Sequence, residues 1–197
     1  MDALKAEIAA VAARMVVEEG LEYGAAKRRA VKQMGLPLRA ALPDNEQVEA
    51  AVEDYIAVFC ADTQPQELQA LRVLALDWME RLARFRPYLG GAVWHGTATR
   101  RSDIYLLLFC DDPKSAEIGL IDMGVRFEPR MVSGLQGKPV DALSVHVWCA
   151  ALDEHVGLHL LVHDYDDLRG ALAADARGRR PRGDVAAVRR LLHDGGP

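Results

Sequence analysis

"YLGGAVWHGTATRRSDIYLLLFC", residues Tyr88 to Cys110, decides how the chain is read. Gly90, Gly91 and Gly96 open the stretch, with Thr97 next to the last of them, and Ser102-Asp103 leads out of it. Ile104 to Cys110 is then apolar or aromatic at every position, which predicts a central strand buried on both faces. Glycines allow a backbone to approach a phosphate without a Cβ in the way, and they turn amide groups toward it. An acid at the start of a strand is well placed to hold a divalent ion against phosphate oxygens. Two-metal chemistry needs carboxylates that share the ions, which lie about 3.5–4 Å apart. Residue 105 falls on the same side of the strand as Asp103, but it is a tyrosine. A phenol that titrates near pH ~10 is neutral at pH 7 and a poor magnesium ligand.

Upstream of this stretch the period is helical. Leu4, Ile8, Val11 and Met15 recur at helix spacing, and Gly20 closes the run. A second helix is expected over Tyr23–Met34, stopped by Gly35 and Pro37. Asp44 and Gln47 form a capping box for a third, whose apolar face is Val48, Val52, Tyr55, Ile56 and Phe59. Thr63 with Gln66 opens a long fourth helix carrying Leu71, Leu74, Trp78, Leu82 and Phe85, and Pro87 ends it.

Downstream, Asp112-Pro113 starts a short helix that finishes at Gly124, and "VSGLQGKP" reads as loop. Ala142–Leu152 and His155–His163 form a hairpin around Asp153-Glu154, a poor two-residue turn. In that register Trp148 faces His159 and Ser144 faces His163. One face of the hairpin is apolar. The other carries Ser144, His146, Trp148, His159 and His163, which suits a cleft and equally suits a half-solvated sheet. Two short helices, about Asp167–Ala174 and Asp184–His193, flank "RGRRPRGD". This basic run is expected to be a solvated, mobile linker, with anion binding as the alternative.

The 197 residues are half hydrophobic and 27% charged, as in an ordinary globular protein. A net charge of −5 argues against nucleic acid as the main partner. Cys60, Cys110 and Cys149 show no CxxC spacing and read as free thiols, in keeping with a reducing cytoplasm. No apolar run is long enough to span a bilayer, so no membrane is expected. Phosphate-loop, zinc-protease and hydrolase-elbow motifs are absent.

The Gly91–Ile104 stretch resembles the signature of the polymerase-β-like nucleotidyltransferase superfamily. Gly91-Ala92 stands in its Gly-Ser place, Gly96-Thr97 in its second glycine, and Ser102-Asp103-Ile104 in its Ser-Asp-apolar step. The second Asp of the signature is Tyr105 here. The resemblance implies an α+β protein: a helical N-terminal region, 1–62, then a nucleotidyltransferase-like mixed β-sheet with helices, 63–197. It implies Mg2+ at Asp103, and Gly90, Gly91, Gly96, Thr97 and Ser102 around a nucleotide or phosphorylated small molecule. Tyr105, His146, Trp148 and His159 would line the cleft. Asp141 and Asp164 are the candidates for the third carboxylate that the family draws from a neighbouring strand. With the second acid missing, the expectation is ligand binding with doubtful catalysis. A site rebuilt from Asp103 and the histidine face is the other outcome.

The N-terminal stretch "IAAVAARMVVEEGLEYGAAKRRAVKQMG" resembles the opening of a TetR-type helix-turn-helix regulator. Lys27, Arg28, Arg29 and Lys32 would form its basic face. The resemblance stops at "LPLRAALPDN", whose prolines break a recognition helix. DNA binding or protein interaction through these helices is the alternative reading, and homo-oligomerisation stays open.

Overall fold

The computed structural model of the chain describes residues 3–37, 39–174 and 178–194. The chain divides into two compact units, residues up to Glu67 with Thr97–Ser102, and Leu68–Gly96 with Asp103 onward.

The first unit is helical: α1 (Ala3–Glu19), α2 (Tyr23–Gln33), α3 (Asn45–Phe59) and the start of α4 (Gln64–Arg81). Its core is Ile8, Ala12, Met15 and Val17 of α1, Ala26, Ala30 and Val31 of α2, and Val48, Val52 and Ile56 of α3. The α3 capping box forms as the sequence implies, with Asp44 accepting from the Gln47 amide and Gln47 reaching back to the Asp44 amide. Phe59 departs from the expected face. It ends the helix, is 69% exposed and lies against the Tyr55 ring.

The second unit holds β1 (Tyr88–Gly90), α5 (Gly91–His95), β2 (Ile104–Cys110), α6 (Lys114–Asp122), β3 (Glu128–Ser133), β4 (Pro139–Cys149), β5 (Glu154–Asp164), α7 (Leu168–Ala171) and α8 (Val185–His193). The five strands form one mixed sheet in the order β1-β2-β5-β4-β3, in which only β2 and β5 run parallel. Helices lead and a mixed sheet follows, which is the α+β class expected. Leu106, Leu108, Leu143, Val145, Leu158 and Leu160 are buried on one sheet face.

The hairpin register differs from the one expected. Cys149 pairs with Glu154, Trp148 with His155, and Ser144 with His159, so the loop is Ala150–Asp153 and not a two-residue turn. Asp-Glu does not suit a tight turn, and the chain puts Asp153 at a left-handed φ of 55° instead. Both strands move by an even step, so each side chain keeps its expected face.

The basic run is not a free linker. Gly183 bridges to Leu89 through both backbone hydrogen bonds, 2.8 and 3.0 Å, and the Trp94 indole N–H donates to the Arg180 carbonyl at 2.8 Å. Arg182 donates to the Ala171 carbonyl. Arg177 lies outside the described residues. The loop expected from "VSGLQGKP" begins inside β3, an exposed edge strand that shows no apolar alternation.

Candidate functional site

One face of the sheet carries Gly90 from β1, Tyr105, Leu107 and Phe109 from β2, Gly157, His159, Leu161 and His163 from β5, and Ser144, His146 and Trp148 from β4. Half of this face is sealed. Leu107, Phe109 and Ala171 form a small core with Tyr88, Leu135, Leu161 and Leu168. His163 lies there, 2% exposed and stacked on Phe109 at 5.5 Å, with neither ring nitrogen hydrogen-bonded. Burial pushes its pKa down; Asp167 opposes that shift and Arg182 adds to it.

The other half is open and polar. Parallel pairing sets Tyr105 beside His159, and their rings lie 4.9 Å apart. Asp103, one step before β2, reaches the same imidazole: His159 Nε2 is 3.0 Å from Asp103 Oδ2. On the far side of the ring, His159 Nδ1 is 2.9 Å from Ser144 Oγ, and Arg130 Nη2 donates to that oxygen at 2.9 Å. The Asp103 side chain is 46% exposed and that of His159 only 14%, so the network offers its carboxylate to solvent and keeps its hydroxyl inside. The hydrogen bond with His159 holds the Asp103 carboxyl below the usual carboxylate range. Partial burial opposes this, and the Gly157 amide and His146 reinforce it. A Cβ on Gly157 would sit 2.5 Å from Asp103 Oδ1, so a side chain there would push the acid from its present position.

Other expected site residues fall out as follows. Gly91 has φ 65° and starts α5, and Gly96, at φ 93°, ends it, so both conformations favour glycine by themselves. A Cβ on Gly90 would make only ordinary contact with Leu107. Behind α5, Arg72 is 4% exposed and donates to the Val93 and Trp94 carbonyls at 3.1 and 3.3 Å, which fixes that turn. Thr97 and Ser102 belong to the first unit. Thr97 is buried, and Ser102 Oγ accepts the Thr99 amide hydrogen at 3.0 Å, closing a tight turn. His146 is exposed opposite Gly157, and Trp148, 51% exposed, meets His155 edge-on.

The candidates for a further carboxylate do not converge on Asp103. Asp141 and Asp164 point to the opposite sheet face, and Asp164 caps the turn after β5 by accepting from the Asp166 amide. His163 is four residues along β5 from His159, roughly 13 Å at the rise of a strand. Among the described residues no three His, Cys, Asp or Glu side chains are grouped so as to hold a metal ion. The Mg2+ that the resemblance implies therefore does not fit the side chains present. The Asp103 carboxylate has one oxygen taken by an imidazole, and its neighbour on the same side of the strand is a phenol.

Arg130 and the Asp103–His159 contact were missed from the sequence. Both depend on strand order, which no local pattern reports. A concavity of about 440 Å³ at the other end of β2, lined by Arg84, Arg86, Asp111, Asp112 and Asp122, is a separate feature. There Asp112 accepts the Lys114 amide hydrogen and Arg86 lies 3.9 Å from Asp111. In the first unit, Arg29 pairs with Glu19 at 2.6 Å and Lys27 donates to Asn45 at 2.8 Å, so half of the α2 basic face is engaged within its own unit.

No family model matches the chain, and no curated protein matches it in sequence. Solved structures similar to part of it include Cid1 poly(U) polymerase with MgGTP bound, 16% identical over 56% of this chain and 38% of that one, TM-score 0.36. Cid1 with the UTP analogue UMPNPP is 15% identical over 56% and 37%, TM-score 0.37. A cytoplasmic RNA terminal U-transferase is 17% identical over 60% and 39%, TM-score 0.37. The chain spans less than two fifths of the length of these proteins. Among the described residues, no helix is long and apolar enough to cross a membrane.

Proposed function

We propose that the open half of the sheet face binds a nucleotide or another phosphorylated small molecule, in a nucleotidyltransferase-like unit whose set of carboxylates is incomplete. The observation that carries this reading is the half-exposed Asp103 carboxylate, held by His159 on a face that also presents Tyr105, Trp148 and Arg130. Arg130 gives one nitrogen to Ser144 and keeps others for phosphate oxygens, which guanidinium groups bind in paired hydrogen bonds. Trp148 presents a flat exposed ring for a base. From Ser144 to Trp148 the strand runs roughly 13 Å, enough to lay out a nucleoside and its phosphate. Without a complete set of acids, group transfer has no metal cradle on this face, so binding is the activity assigned.

The test is thermal unfolding of the protein with a panel of nucleoside mono-, di- and triphosphates. At least one is expected to raise the melting temperature of the wild type and to lose most of that effect with Asp103→Ala and with Arg130→Met. No shift with any nucleotide, in the wild type and in Asp103→Ala alike, would overturn the reading.

A further inference from the structure

We infer that Asp103 meets its ligand directly, as a hydrogen-bond acceptor for a hydroxyl or amino group, and that the His159 imidazole stands where a divalent cation would have to bind. This rests on the open face being the ligand site, and it says which part of the ligand lies where.

The direction of the hydrogen bonds carries the inference. A guanidinium only donates, so Ser144 Oγ accepts from Arg130 and is free to turn its own hydrogen toward His159 Nδ1. That leaves the ring hydrogen on Nε2, which donates to Asp103 Oδ2 at 3.0 Å. Each bond in the chain Arg130, Ser144, His159, Asp103 therefore points toward the carboxylate. The ring is held at both nitrogens and covered by Tyr105 at 4.9 Å, so it cannot swing aside. A cation seeking Oδ2 would have to displace the imidazole N–H. Tyr105 occupies the adjacent position, Asp141 and Asp164 face the other way, and the acid that does share this face, Glu128 opposite Ser144, stands on β3, three strands away from β2.

The remaining oxygen, Oδ1, lies over the bare Gly157, whose amide also hydrogen-bonds to the carboxyl group. A phosphate brought to this carboxylate without an intervening cation would be repelled. A hydroxyl or an amino group would not. The ligand accordingly sits with an uncharged donor end at Asp103 and its phosphate toward Arg130.

MnCl2 titrated into the ligand-free protein, followed by the paramagnetic resonance signal of the free ion, tests this without any nucleotide. The wild type is expected to leave the signal undiminished. The double substitution Tyr105→Asp/His159→Ala, which frees Oδ2 and restores a second acid two residues along, is expected to reduce it, with circular dichroism confirming the fold. One-to-one uptake by the wild type that Asp103→Asn abolishes would overturn the inference. Uptake that survives Asp103→Asn puts the ion elsewhere and supports it. Any nucleotide-induced thermal shift should be equal in Mg2+ and in EDTA; a shift lost in EDTA would also overturn it. A silent nucleotide screen would remove the ligand reading while leaving the Mn2+ result intact, so the two failures are told apart.

Discussion

His159 and His163 sit four residues apart on the same face of β5, and they live in opposite surroundings. His159 has partners at both ring nitrogens and stands next to a half-exposed acid, whereas His163 has no hydrogen-bond partner and is stacked on Phe109 under Leu135, Leu168 and Ala171. The same strands thus make a core at one end and a polar site at the other. What separates the ends is cover: the segments around residues 134–137 and 165–171 close one half and leave the other bare. Packing decides stability in the sealed half, and hydrogen-bond direction decides chemistry in the open half.

The contrast is broken most severely by truncating its apolar end. Phe109→Ala removes a fully buried ring and is expected to cost about 3–5 kcal/mol in urea denaturation. Trp148→Ala, at the exposed end of the face, should change stability by no more than about 0.5 kcal/mol and abolish the nucleotide-induced shift. Similar losses of stability from both would show that the two halves are one core.

A smaller effect is expected where the open half is held most tightly. Gly157→Ala puts a methyl group 2.5 Å from Asp103 Oδ1 and 3.0 Å from Oδ2, so the carboxyl group must move, and the move is expected to break its contact with His159. The loss of that hydrogen bond should cost about 1 kcal/mol in the same denaturation experiment, and the ligand-induced shift should disappear with it. Wild-type behaviour on both counts would mean that Asp103 does not depend on its present position.

The smallest effect is a pH dependence in the sealed half. The pKa of His163 lies below the usual imidazole value of about 6.5, so the unfolded chain takes up a proton before the folded one does. Stability is therefore whole above that value, falls as pH drops through it, and levels off below the folded pKa. Of the charged neighbours, Asp167 favours the protonated ring and Arg182 disfavours it. Melting temperatures from pH 8 to pH 5 should show this slope in the wild type and a shallower one in His163→Leu. Equal slopes would place the titration elsewhere.

The sequence announced some of this and concealed the rest for identifiable reasons. Ile104–Cys110 reads as a buried strand because every position is apolar, and β2 is one. The polar face of β4 and β5 was legible despite the wrong register, since an even slip preserves side-chain alternation. β1 is too short to show a period, and β3 carries Pro129 and solvent-facing side chains. Asp103 stood out by its place before β2, but its contact with His159 arises from parallel pairing across 56 residues of chain. Arg130 reaches the network from an edge strand for the same reason. Tyr105 was recognised as the odd residue in the motif, and its ring now covers the imidazole that holds the acid.

The Leu89–Gly183 bridge gives the last stretch of the chain a structural duty. Gly183 fits under the Trp94 ring only because it lacks a side chain, and its backbone completes the free edge of β1. Trimming the protein ahead of Pro181 would strand the Leu89 amide and carbonyl and uncover the indole, so shortened versions made for convenience should be expected to lose the sheet's first strand.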